Sequence, residues 1–294
     1  MRSRSSAAFC QTIWTCSMGP MQRWSWDKCR YGEELLSKIA GRGVHVLVTR
    51  TIGMDHIDLD AAARLGIAVG NAHYAPDSVA DFTLMPMLVA LRHHKAAVCQ
   101  QNVNDYSLRG LEGRTLSSLA VGVVGTGAIG AAVVQRLSGF GCEIRATGHH
   151  VNPEVAKRAA YVSQDELFRA SDAISFHVPA TPANHQLVSR ESLAEMEDGV
   201  MLVNIAHPDS WMSLPLQEAS DRARSAPMRW MSSRGSRESA TSTVRGTNRD
   251  MACLRQFPNT VLVQHMAFCM AETVEEMAET AVAKAHELFA GRNA

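Results

Sequence analysis

Residues 121–130 read Val-Gly-Val-Val-Gly-Thr-Gly-Ala-Ile-Gly. A short apolar, β-rich run breaks into glycines at 125, 127 and 130, the G-x-G-x-x-G spacing, and then continues as a helical pattern. Gly125 allows a tight turn, Gly127 lets the backbone approach a pyrophosphate, and Gly130 lets the new helix pack close to the strand. The pyrophosphate would rest on free N–H groups at the helix N-terminus. Glycine-rich βα loops that bind nothing share this spacing; the flanking strand and helix signals favour a nucleotide site. A second chemical residue is His265, in Gln264-His-Met-Ala-Phe268. Imidazole titrates near neutrality and suits proton transfer, although a strand-end histidine need do no chemistry.

The elements that position these residues alternate. Strands are expected at Val44–Thr49, Ala120–Val124, Cys142–Ala146, Ala173–Val178, Val200–Ile205 and Thr260–Gln264. Helices are expected at Ile57–Leu65, stopped by Gly66, and at Ile129–Leu137 and Gln164–Ala170. A further helix is capped by Asp77 or Ser78, carries Val79, Phe82, Met85 and Val89 as its apolar stripe, and is kinked at Pro86. A last helix runs from about Ala271 to Phe289. Such alternation implies a parallel sheet covered on both faces.

The 294 residues suffice for one large domain or two smaller ones. Lys plus Arg and Asp plus Glu number 29 each, so no nucleic-acid or membrane footprint is expected. No apolar run approaches the ~18 residues of a membrane span. Seven scattered cysteines, without a C-x-x-C, fit a reduced, cytoplasmic setting. The first 26 residues hold three arginines and no acid, a faint likeness to a transit peptide, yet show no amphipathic helix. No spacing suggests a metal site, and His93, His94, His149, His150 and His185 read as surface residues.

Five motifs occur in one order: Arg50-Thr-Ile-Gly53-Met-Asp-His-Ile-Asp58, Tyr74-Ala-Pro-Asp-Ser-Val-Ala-Asp81, the glycine fingerprint, His177-Val-Pro179, and Gln264–Phe268. Together they resemble the D-isomer-specific 2-hydroxyacid dehydrogenases, nearest the D-lactate dehydrogenase branch with its vancomycin-resistance type. The resemblance covers about residues 44–206 and 248–290. It implies a doubly wound α/β (Rossmann) cofactor domain, residues 93–267, and a smaller, truncated flavodoxin-like substrate domain, residues 1–92 plus 268–294. It implies hydride transfer between NAD(P)H and a small 2-keto acid such as pyruvate. His265 resembles the proton donor. Ile52 and Gly53 resemble the loop that holds the substrate carboxylate, and Tyr74 and Phe268 resemble pocket walls, with core packing as the alternative for Phe268. Ala128 and Ile129 would supply amides to the pyrophosphate. Val178, Pro179 and Asn184 would line the adenosine and nicotinamide ribose, with Ile205, Ala206 and His207 completing the cofactor contacts. A homodimer, through helices near residues 100–140, is also implied.

Departures from the pattern matter as much. The acid that binds the ribose 2′-hydroxyl is replaced by Gly148, which admits NADP beside NAD. The arginine expected in an Asn-x-x-Arg pattern is absent: the chain reads Asn204-Ile-Ala-His207-Pro208. A guanidinium gives two charge-assisted hydrogen bonds in fixed geometry, whereas His207 offers at most one. Residues 1–30 and 207–247 show little apolar periodicity, and all five tryptophans lie there. The N-terminal stretch is also shorter than the resemblance implies. Where the strand bearing the acidic partner is expected, the chain reads Met228-Arg-Trp-Met-Ser-Ser-Arg-Gly235. One permitted codon choice, read two bases later, gives Ala-Leu-Asp-Val-Leu-Glu-Gly, and its Asp is forced because Trp and Met have single codons. The missing acid would straddle Ser233 and Arg234. His207–Ser213 shifts likewise to Ser-Gly-Leu-Met-Asp-Val. About 207–247 therefore reads as a frame-shifted segment, with a natural polar insertion as the alternative. Sequencing the encoding DNA across this segment is expected to return codons compatible with the shifted reading; incompatible codons refute it.

Overall fold

The computed structural model describes residues 13–15, 30–54, 56–179, 184, 187–205, 229–232, 256–264 and 266–292, the segments 13–15 and 229–232 as backbone only. They divide into two compact units, one holding residues up to Ala75 and from Phe268 onward, the other running from Pro76 to Ala267.

The first unit is built on a three-stranded sheet. β1 (Ile13–Thr15) pairs antiparallel with β2 (Val46–Thr49), which pairs parallel with β3 (Ala68–Asn71). Strand alternation sends Leu47 to one face and Val46 and Val48 to the other. Leu47 meets Leu36 of α1 (Glu33–Ala40) and Ala61 and Ala62 of α2 (Leu59–Arg64). Asp58 starts α2 by accepting the Ala61 amide at 2.9 Å, and Gly66, at φ +69°, follows its end. Val46 and Val48 cluster with Ala281, Ala285 and Leu288 of the C-terminal helix.

The second unit begins with α3 (Asp77–Leu91) and α4 (His94–Gln101). Its sheet is parallel throughout, in the order β10-β9-β8-β7-β4-β5-β6. The strands are β4 (Ala120–Val124), β5 (Glu143–Thr147), β6 (Ala160–Tyr161), β7 (Ala173–Phe176), β8 (Met201–Asn204), β9 (Arg229–Ser232) and β10 (Thr260–Leu262). The chain lays β5 and β6 on one side of β4 and β7 to β10 on the other, the doubly wound arrangement. Between strands run α5 (Ala128–Ser138), α6 (Pro153–Ala156), α7 (Gln164–Arg169) and α8 (Arg190–Glu195). One apolar layer joins α3 and α5 to Val121, Val123, Ala173, Met201 and Val203. The opposite layer holds Val124, Phe168, Ile174, Phe176, Val188, Leu193 and Leu202. Both faces are covered, which is why β7 and β8 are buried along their whole lengths. The Asp172 carboxylate receives the Ala120 amide at 2.9 Å and Arg114 at 2.7 Å, pinning the start of β4 beside β7. The first unit resumes with α9 (Ala271–Arg292).

Several expectations change. The unit boundary follows Ala75, not residue 92. The reason is packing: Ala80, Leu84, Met87 and Leu91 of α3 share a core with Ala132, Val133 and Leu137 of α5, and Arg136 of α5 pairs with Asp77, at 2.7 Å, and with Asp81. The buried face of α3 is thus Val79, Ala80, Thr83, Leu84, Met87 and Leu91, while Met85 of the expected stripe is exposed. Apolar residues line most of the circumference of this helix, so periodicity alone does not select a face. Pro76, not Asp77 or Ser78, sits at the N-cap, and its carbonyl receives the Ala80 amide at 2.9 Å. Segment 207–247, expected to stand outside the pattern, contributes β9, which pairs in register with β8 and β10. Met201, Leu202 and Val203 accordingly keep their cover, each at most 1% exposed. Short elements with no strong pattern, namely α1, α4, α6, α8, β1, β3 and β6, add to those expected; β1 comes from the segment 1–30, read as outside the pattern.

Candidate functional site

The glycine turn sits where the order of strands reverses, at the carboxyl end of β4 beside β7, where open α/β sheets bind ligands. Its start is tied to the next strand by the Gly125 amide, which donates to the Thr147 carbonyl at 2.9 Å. Gly125 adopts φ +94°, a conformation other residues rarely take. A Cβ there would also lie 2.8 Å from the His177 carbonyl and 3.0 Å from Val178 Cγ1. A Cβ on Gly130 would overlap the Gly125 carbonyl outright. These two glycines let α5 come down directly on the turn. Gly127 differs: a Cβ there meets nothing within 4 Å. It is the N-cap of α5, and no side chain caps it, so Ala128 and Ile129 begin a helix whose first amides have no intrahelical acceptor. Open space, uncapped amides and the positive end of an eleven-residue helix fit a diphosphate.

The loop after β7 closes on the same place. The His177 amide donates to the Val124 carbonyl at 2.8 Å. Asn184, 7% exposed, donates from Nδ2 to the Pro179 carbonyl at 3.1 Å, which ties these two residues together. Ile205 follows β8 and is half-buried against the core layer. His177 carried no role in the sequence reading beyond its place in His177-Val-Pro179. Its imidazole is buried, bonded through Nε2 to the Ser175 hydroxyl at 2.8 Å, and burial lowers its pKa from 6.5 to about 4. It therefore stays neutral behind the glycine turn at neutral pH. Gly148 closes the edge beyond β5. A Cβ there would lie 2.7 Å from Thr126 Oγ1, and Asn152 holds the Thr126 carbonyl at 3.2 Å.

The first unit carries the other expected residues. Ile52 and Gly53 follow β2 on an exposed loop. Tyr74 is half-buried, and burial raises its phenol above the usual range. Its neighbours are fixed by α9: Thr280 donates to the His73 carbonyl at 2.6 Å, and Glu276 accepts the Ala75 amide at 2.9 Å. Phe268 is half-buried just before α9. Ala206, His207 and His265 lie outside the described residues. Among those described, no cluster of His, Cys, Asp or Glu could hold a metal ion, and no helix is long and apolar enough to cross a membrane.

Two outcomes follow from this geometry. Gly127→Ala is expected to cost no more than about 1 kcal/mol of stability while weakening NADH binding at least about tenfold, whereas Gly130→Ala should cost about 3 kcal/mol or more; chemical denaturation and NADH fluorescence titration check both. His177 binds a proton more readily in the unfolded chain than in the folded one. Its stabilising contribution is therefore full above pH 6.5 and is lost as the pH falls toward 4, by about 3 kcal/mol. Urea unfolding across that window should show the loss, and His177→Gln should flatten it.

Comparison with known proteins agrees with this geometry. A family model described as "D-isomer specific 2-hydroxyacid dehydrogenase, NAD binding domain" matches residues 84–224. A D-specific alpha-keto acid dehydrogenase of Enterococcus faecium is 33% identical over 258 residues, 87% of this chain and 79% of that protein. The solved pyruvate reductase of Chlamydomonas reinhardtii superposes with a TM-score of 0.78 at 29% identity, covering 87% of this chain and 79% of that one. The D-lactate dehydrogenase of Aquifex aeolicus, solved with NAD and lactic acid, superposes at 0.79 with 26% identity, covering 89% and 80%. With its doubly wound sheet and glycine turn, the chain belongs to the D-isomer specific 2-hydroxyacid dehydrogenases, a family of NAD-dependent enzymes.

Proposed function

We propose that this chain transfers hydride between a nicotinamide coenzyme and a small 2-keto acid such as pyruvate, at a reduced rate. The observation that carries the reading is the glycine turn, with its open Gly127 and uncapped helix start. The coenzyme supplies the hydride. The second unit holds it through the amides of Ala128 and Ile129, with Val178, Pro179, Asn184, Ile205, Ala206 and His207 around the sugar and ring. The first unit holds the keto acid by its carboxylate at Ile52 and Gly53, with Tyr74 and Phe268 as walls. His265 gives the proton to the carbonyl oxygen as the hydride adds to carbon. Because Gly148 stands where an acid would bind the ribose hydroxyl, NADP(H) is accepted beside NAD(H).

The rate is reduced because His207 replaces a guanidinium and the acid that would tune His265 is missing from its strand. Losing one preorganised donor typically costs about 10²–10³ in kcat, and a bidentate clamp also orients the substrate. The same substitutions favour a second reading, a remnant that binds a dinucleotide without catalysis.

A homodimer is part of the proposal. Val103, Tyr106 and Leu108 are 74%, 72% and 83% exposed, and Met85, Leu88 and Val98 are also exposed. Their segment is nonetheless anchored, since Gln100 donates to the Arg109 carbonyl at 3.1 Å. An ordered apolar strip of this kind suits a second copy. The free thiols of Cys99, Cys142 and Cys269 accord with a cytoplasmic setting.

Absorbance of NADH and NADPH followed with pyruvate tests the reading. Turnover at least about a hundredfold below the usual 1–10³ s⁻¹ is expected. A rate inside that range overturns the impairment, and thermal stabilisation by coenzyme without turnover supports the second reading.

A further inference from the structure

In the first unit the loop after β2 is held by its carbonyls. Asn71, the last residue of β3, donates from Nδ2 to the Ile52 carbonyl at 2.8 Å. The Thr51 hydroxyl donates to the Gly53 carbonyl at 2.6 Å. Thr51 thereby spends its one hydroxyl hydrogen, so the 2.7 Å contact between the Thr49 and Thr51 hydroxyls must be donated by Thr49. Thr49 is 2% exposed and accepts the Thr51 amide at 3.2 Å. The result is a directed chain from a buried strand residue, through Thr51, to the loop.

In a trans peptide, C=O and N–H point in opposite directions. Fixing the Ile52 carbonyl therefore fixes the direction of the Gly53 amide, and fixing the Gly53 carbonyl fixes that of Met54. Among the described residues neither amide has a partner. Both amides are thereby left with fixed directions and open to donate to an anion.

We propose that Asn71 and Thr51 are positioning residues, which set the Gly53 loop to receive the carboxylate of the 2-keto acid without touching it. The inference rests on the dehydrogenase reading; it gives Thr51 of the Arg50–Asp58 motif a role and adds Asn71, which lies outside that motif. Neither side chain carries charge; each works through a backbone carbonyl.

The test uses the full-length protein, with pyruvate for turnover and oxamate, an unreactive keto-acid analogue, for calorimetric binding in the presence of NADH. Asn71→Ala and Thr51→Val should each raise the KM for pyruvate and the Kd for oxamate about tenfold, the worth of one lost hydrogen bond, with kcat and NADH affinity within about twofold. Asn71→Asp, nearly the same shape but without the N–H donor, should behave like Asn71→Ala. Thr51→Ser should restore binding. Oxamate affinity unchanged within twofold in both Asn71→Ala and Thr51→Val overturns the proposal, whatever happens to thermal stability. Failure of the parent protein to bind oxamate while it binds NADH also overturns it and leaves the coenzyme reading standing. Failure to bind NADH overturns both.

Discussion

The close approach of backbone to backbone at the glycine turn is the constraint on which the second unit depends. Gly130 presses against the Gly125 carbonyl, and Gly125 against the carbonyl of His177. No side chain fits at either contact. Because α5 starts so close to β4, its buried face, Val133, Val134 and Leu137, reaches the same core layer as Val121 and Val123. Because β7 ends so close to β4, Val178 arrives beside Gly125. Of the three glycines, only Gly127 is left out of the packing. A similar economy occurs at Gly122 in β4, where a Cβ would lie 2.5 Å from Leu167 of α7.

The two units offer candidate anion donors of one kind. Around the glycine turn and around Gly53, the candidate donors are main-chain amides whose direction is fixed by neighbouring hydrogen bonds. Guanidinium groups are employed elsewhere: Arg136 ties α3 to α5, and Arg114 ties its loop to Asp172. Backbone donors carry no formal charge, so their strength depends on preorganisation more than on ionic strength or pH. His177 is removed from titration at neutral pH by burial.

Much of this was legible in the sequence because local and tertiary signals agreed. β4 was delimited correctly from Ala120–Val124, and α7 is announced by Ser163, whose hydroxyl accepts the Glu166 amide at 3.2 Å. The glycine spacing located the turn. Other features were not legible, for physical reasons. The outward and inward faces of α3 are both apolar, so the choice between them was made by α5 rather than by the helix itself. The unit boundary after Ala75 is set by that same packing and leaves no composition change to read. α8 is a six-residue helix held by a Ser189–Ser192 capping box, too short for periodicity to reveal. Asn71 stands outside every motif, and its importance is a matter of what its amide reaches across the sheet.

β9 is joined on both sides by register with β8 and β10, yet its Arg-Trp-Met-Ser is not the apolar run of its neighbour β8. A ladder is an exchange between N–H and C=O groups, and every non-proline residue has both. Such a seat is indifferent to which genetic text fills it. Pairing and side-chain chemistry at this position can consequently vary independently: the ladder persists whatever side chains, acidic or not, the strand delivers.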